Sequence, residues 1–167
     1  AEEKLAQGLG EEAGRLFLAA GDYSDAAARG NDCIYQAALA AKEAGDYDKA
    51  TELFTLIIGY LDSEGQIQDC LYQQAAALLP LRWQRLCRQV PEEQQAEAEE
   101  LRLRAGQTLT LLLRGGEVPA ARERPYPVVT QTELEQLCDG VTDYSRYAAA
   151  DTLSRGYLTA RGGFRIG

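Results

Sequence analysis

The sequence predicts an all-α protein of stacked antiparallel helical hairpins, and three observations carry that reading. Ala, Leu, Glu, Gln and Arg, all good helix formers, dominate, while Val, Ile and Thr are sparse. The decapeptides NDCIYQAALA (31–40) and QDCLYQQAAA (68–77) echo each other 37 residues apart, a period in the range of helix-turn-helix repeats. The tripeptide Gly-Asp-Tyr stands at 21–23 and again at 45–47, each time between helix-like segments.

Taken in order, residues 2–20 carry Leu5, Leu9, Leu16 and Phe17 at helical spacing, weakened by Gly8, Gly10 and Gly14. After the first Gly-Asp-Tyr, an alanine-rich helix is expected over 25–44. Residues 47–61 give the cleanest element. Tyr47, Ala50, Leu53, Phe54, Ile57, Ile58 and Leu61 form one apolar stripe, with Asp46 placed as its N-cap. A helix over 67–79 follows, and Pro80 kinks it or opens a new one reaching Arg88.

Pro91-Glu92-Glu93 then predicts the start of a long helix that ends at Gly115-Gly116. Pro119, Pro125 and Pro127 mark an extended connector. Thr132 with Glu135 reads as a capping box for a short helix to Asp139-Gly140, and a last helix is expected over 143–155. The domain plan is a helical array over 1–116, a connector over 117–130, a C-terminal helical pair over 131–156 and a Gly/Arg tail over 157–167.

Net charge is −9 and unevenly spread. Residues 1–70 hold 14 acidic and 5 basic side chains, whereas 71–167 hold 12 of each. An acidic first half repels phosphate backbones and favours a protein partner with a basic segment; its plain alternative is a surface that only aids solubility. One RGG-like element, Arg161-Gly162-Gly163-Phe164-Arg165, is too little to predict nucleic-acid binding. The longest apolar runs, 75–81 and 111–113, are too short to span a bilayer. With no Met at position 1 or elsewhere, a trimmed or processed chain is expected.

No enzyme is expected. The chain has no His, which removes the commonest general base and metal ligand. Gly8-Leu9-Gly10-Glu11-Glu12-Ala13-Gly14 imitates a dinucleotide fingerprint, but its third Gly is one residue late, no strand precedes it, and two acids occupy the loop; loose helix packing is the better account. Glu92-Glu93 and Glu99-Glu100 read as solvated acids, and Lys4, Lys42 and Lys49 have no serine at a telling spacing. Cys33, Cys70, Cys87 and Cys138 form no CxxC, so no metal or cofactor is expected. Four free thiols are favoured over a Cys70–Cys87 bridge, which an exported protein would allow.

The stretch from Asn31 to Leu61 resembles a tetratricopeptide repeat. Ala38 matches that family's small residue where paired helices meet, Gly45-Asp46-Tyr47 its turn, Ala50 its alanine and Phe54 its aromatic. The likeness covers roughly 7–90, with one well-matched repeat. It departs at Ile34, at Ala41, and at Asp62, where a Pro is usual. The resemblance implies a short α-solenoid whose first helices line a groove. Asp32, Tyr35 and Lys42 of one repeat, and Asp69 and Tyr72 of the next, then face a peptide or partner helix. The implied function is a non-catalytic adaptor or chaperone-like scaffold. The alternatives are a structural or regulatory domain of a larger protein, with the groove filled by its own connector or tail, and a ligand-holding bundle.

Overall fold

A computed structural model of the chain describes residues 1–6, 8–21, 23–141, 158–159 and 165–166. The chain divides into two compact units, Ala1–Leu71 and Tyr72–Gly167.

The first unit is helical: α1 (Glu2–Ala6), α2 (Gly10–Ala19), α3 (Ala26–Glu43), α4 (Tyr47–Leu56) and the first part of α5 (Ser63–Ala77). Gly8, at φ +75°, separates α1 from α2, so residues 2–20 are two helices and not one. Packing of α2 on α3 is close, not loose. A Cβ on Gly14 would lie 2.8 Å from the Ile34 side chain, and one on Gly30 would lie 2.9 Å from the Leu18 backbone nitrogen. Gly14 and Gly30, unfavourable inside a helix, are thus what lets the two helices touch.

The turn at Gly45 (φ +79°) reverses the chain into α4, where the Asp46 carboxylate accepts from the Lys49 amide at 3.1 Å. Ile34, Ala38, Ala50, Leu53, Phe54, Ile57 and Cys70 form the core between α3, α4 and α5. The apolar stripe of α4 stops short of its predicted end: the helix closes at Leu56, leaving Ile58 and Leu61 exposed in the following turn.

The second unit contains the rest of α5, α6 (Leu81–Cys87), α7 (Glu92–Glu97), a three-stranded antiparallel sheet and α8 (Gln131–Val141). The described residues are mostly helical, as expected, but the sheet corrects the all-α class and replaces the long helix expected from Pro91 to Gly116. Its strands are β1 (Glu100–Arg102), β2 (Thr110–Leu113) and β3 (Gly116–Pro119), in the order β1-β2-β3. Leu101 opposes Leu111, which opposes Val118, while Arg102, Thr110 and Glu117 lie on the other face. The apolar face joins Tyr72, Leu79, Trp83, Val129 and Leu137 in one core. The short β4 (Leu158–Thr159) pairs antiparallel with β5 (Arg165–Ile166). The helix expected over 143–155 and the RGG-like element fall outside the described residues, apart from Arg165.

A tetratricopeptide solenoid is therefore not what this chain forms. One hairpin, α3 with α4, follows the pattern, but the next copy has no second helix of matching length. Here α6 ends at Cys87, and residues 100–119 become a sheet. Ala38, Ala50 and Phe54 are all fully buried in the first hairpin. Any closely packed antiparallel helix pair needs small residues at the crossing and a large one beside them, so those positions do not distinguish a repeat family.

Candidate functional site

Three of the five side chains singled out from the sequence come together in the first unit. The Tyr35 hydroxyl donates to Asp62, and the Gln66 amide donates to the same carboxylate at 2.9 Å. The Lys42 ammonium donates to Gln66 Oε1 at 2.6 Å and pairs with Asp69 at 2.5 Å. This polar line ties α3 to the start of α5. The Asp62 carboxylate pushes the Tyr35 phenol up to about 12, and the Tyr35 hydroxyl in turn lowers Asp62. The Tyr35 ring meets Phe54 edge-on at 5.6 Å and Tyr60 at 6.1 Å. Asp32 is exposed on α3. Tyr72 belongs to the second unit, where it is buried and its hydroxyl donates to the Cys87 carbonyl at 2.9 Å.

Two polar clusters in the second unit escaped the sequence reading. Trp83, fully buried, donates its indole N–H to Glu133 Oε1 at 2.9 Å. The other oxygen of Glu133 accepts from the amide and hydroxyl of Thr130, at 2.9 and 3.0 Å, and Thr130 Oγ1 accepts from the Glu133 amide at 3.2 Å. The capping box is thus Thr130 with Glu133, two residues before the pair expected. Burial pushes the Glu133 carboxyl up, but the Thr130 and Trp83 hydrogen bonds outweigh this and leave it lowered.

On the outer face of the sheet, Glu117 accepts from Arg104 at 2.5 Å, Thr110 at 2.5 Å and Arg102 at 2.8 Å. These three donors, Arg104 foremost, bring its carboxyl down to about 2 from an ordinary 4.5. A group whose folded pKa is depressed adds stability above its unfolded pKa and loses it as pH falls through the folded one. The melting temperatures of the native chain and Glu117→Gln are therefore expected to differ at pH 5 and to converge as pH drops toward 2. The cluster is exposed, so the difference is small. A gap independent of pH would contradict this account of the cluster.

Among the described residues, no group of three or more His, Cys, Asp or Glu side chains is placed to hold a metal ion. Among the described residues no disulfide joins Cys33, Cys70, Cys87 or Cys138, and the first three are buried. Burial pushes the Cys87 thiol up to about 11 and raises Cys70 as well, which makes both poor nucleophiles. No described helix is long and apolar enough to cross a membrane.

The paired sheet, α6–α8 and their shared core define the part of the chain that has recognisable relatives. Residues 71–167 match the family model for sporulation stage III, protein AA, and the chain belongs to that family. Over 92 residues it is 30% identical to the stage III sporulation protein AA of Bacillus subtilis (strain 168), a match covering 55% of this chain and 28% of that protein. The chain thus spans well under half the length of that relative. No solved structure matches it. The family membership overturns the tetratricopeptide reading, and with it the adaptor function and its structural-domain alternative.

Proposed function

We propose that this chain works in stage III of spore formation, through its second unit. The observation that carries the reading is the family match over 71–167, which begins within one residue of the boundary between the two units. We assign the chain itself no chemistry. Glu117 and Glu133 are each engaged by several donors, and the thiols of Cys70 and Cys87 are buried and raised. For its contacts we propose a protein carrying a basic segment, and not nucleic acid, because the net charge of −9 lies within residues 1–70.

The test is to delete the gene in the organism of origin and induce sporulation. Arrest at stage III, with heat-resistant spores restored by the intact gene, is the expected result. Normal spore yield from the deletion strain would overturn the proposal.

A further inference from the structure

Among the described residues each unit exposes an apolar patch with charge beside it, acidic in the first unit and basic in the second. In the first unit the turn after α4 exposes Leu56, Ile58 and Leu61, by 47, 62 and 68% respectively. Glu64, also exposed, stands three residues past Leu61. In the second unit the end of α5, the start of α6 and α8 enclose a shallow depression of about 320 Å³, lined chiefly by Leu78, Leu79, Pro80, Leu81 and Leu137. That is about twice the volume of a cavity known to hold a benzene ring. Leu81 is 59% exposed at its rim.

Arg85 and Arg88 follow Leu81 at i+4 and i+7, on the same face of the helix. Both are exposed, and neither makes an ion pair among the described residues. Of the acids on α8, Glu133 is engaged by Trp83, Thr130 and Arg82. Glu135 accepts from Gln131 at 3.3 Å, and Asp139, beside the lining Gly140, is engaged as well. The depression itself is lined without charge, with the exposed cations Arg85 and Arg88 further along α6 from its rim at Leu81. The turn after α4 is apolar with the exposed acid Glu64 beside it.

We propose that a second copy of this chain docks there: the 56–64 turn of one molecule seats its leucines in the Leu78–Leu81 depression of another, with Glu64 toward Arg85 and Arg88. Leucines leaving water supply the attraction, and the charges set the register. Because the two surfaces differ, the contact is head-to-tail, and a molecule with both ends free adds further copies. The inference rests on the partner reading above, for which it makes the basic segment α6 of a second copy. It does not depend on a role in sporulation.

Sedimentation of the full chain over a range of concentrations tests it. The average mass is expected to rise with concentration, and to rise less in high salt. Leu61→Asp and Leu81→Asp should each weaken self-association at least tenfold, about 1.4 kcal/mol by RT ln 10. Leu61→Asp keeps its depression and Leu81→Asp keeps its turn, so an equimolar mixture should form a dimer and stop there. Circular dichroism confirms that both variants are folded. One monomer mass at every concentration, assembly that ignores both substitutions, or a mixture that stays monomeric would each overturn the proposal. Binding of the chain to anionic lipid vesicles, lost with Leu81→Asp while no self-association occurs, would instead assign the face to a membrane.

Discussion

Trp83→Ala is expected to destabilise the second unit by about 3–5 kcal/mol, the range for removing a large buried aromatic side chain. Trp83 is wholly buried in the core that joins α5, α6, the sheet and α8. Two costs combine. The indole vacates a space that Leu79, Leu109, Leu111 and Val129 cannot readily refill. Glu133 also loses the N–H that its Oε1 accepts at 2.9 Å. Trp83→Phe removes the hydrogen bond while keeping most of the packing, so it should cost about 1–3 kcal/mol. Urea unfolding followed by far-ultraviolet circular dichroism measures both, since the chain has no second Trp to report by fluorescence. A loss below about 1 kcal/mol for Trp83→Ala would mean that this core is not built around the indole.

Phe54→Ala is expected to cost the first unit a comparable amount, about 3–5 kcal/mol. Its ring is fully buried among Ile34, Ala38, Leu53 and Cys70, and it supports the Tyr35 ring edge-on. Losing that support also loosens the Tyr35–Asp62–Gln66–Lys42 line between α3 and α5. Cys70 gives a direct readout, because it is fully buried in the same core. Its labelling by a thiol reagent should quicken in the variant, together with the lowered urea midpoint. Unchanged labelling and an unchanged midpoint would contradict the packing described.

The first unit was legible wherever helical period and end signals agree. Residues 26–43 and 47–56 are helices, the second capped by Asp46 as its sequence indicates. The second unit was misread at 100–119 because propensity and period disagree there. Leu, Arg, Glu and Ala favour helix, yet Leu101-Arg102-Leu103-Arg104 and Leu109-Thr110-Leu111 alternate, with Gly106, Gly115 and Gly116 between or after them. The alternation prevails because it gives the sheet one face of leucines to bury against Trp83.

The capping box shows a different limit. Thr130-x-x-Glu133 and Thr132-x-x-Glu135 satisfy the same local rule. The choice is set by Val129, buried and bonded through its amide to the Gln107 carbonyl at 2.7 Å, a contact no local pattern contains. The Glu117 cluster likewise depends on strand register, which brings Arg102, Thr110 and Glu117 onto one face. Lys42 and Asp69 were singled out as groove residues, but their helices bring them to each other.

The central claim, that residues 71–167 carry the family's work, is tested most directly by exchange. In Bacillus subtilis, the segment of the stage III sporulation protein AA that matches this chain would be replaced by residues 71–167, and heat-resistant spores counted. Immunoblotting confirms that the hybrid accumulates, and a hybrid with Trp83→Ala serves as the destabilised control. The account predicts that the hybrid restores spores to a strain lacking its own protein and that the control does not. A hybrid that accumulates to normal levels and restores no spores would contradict it.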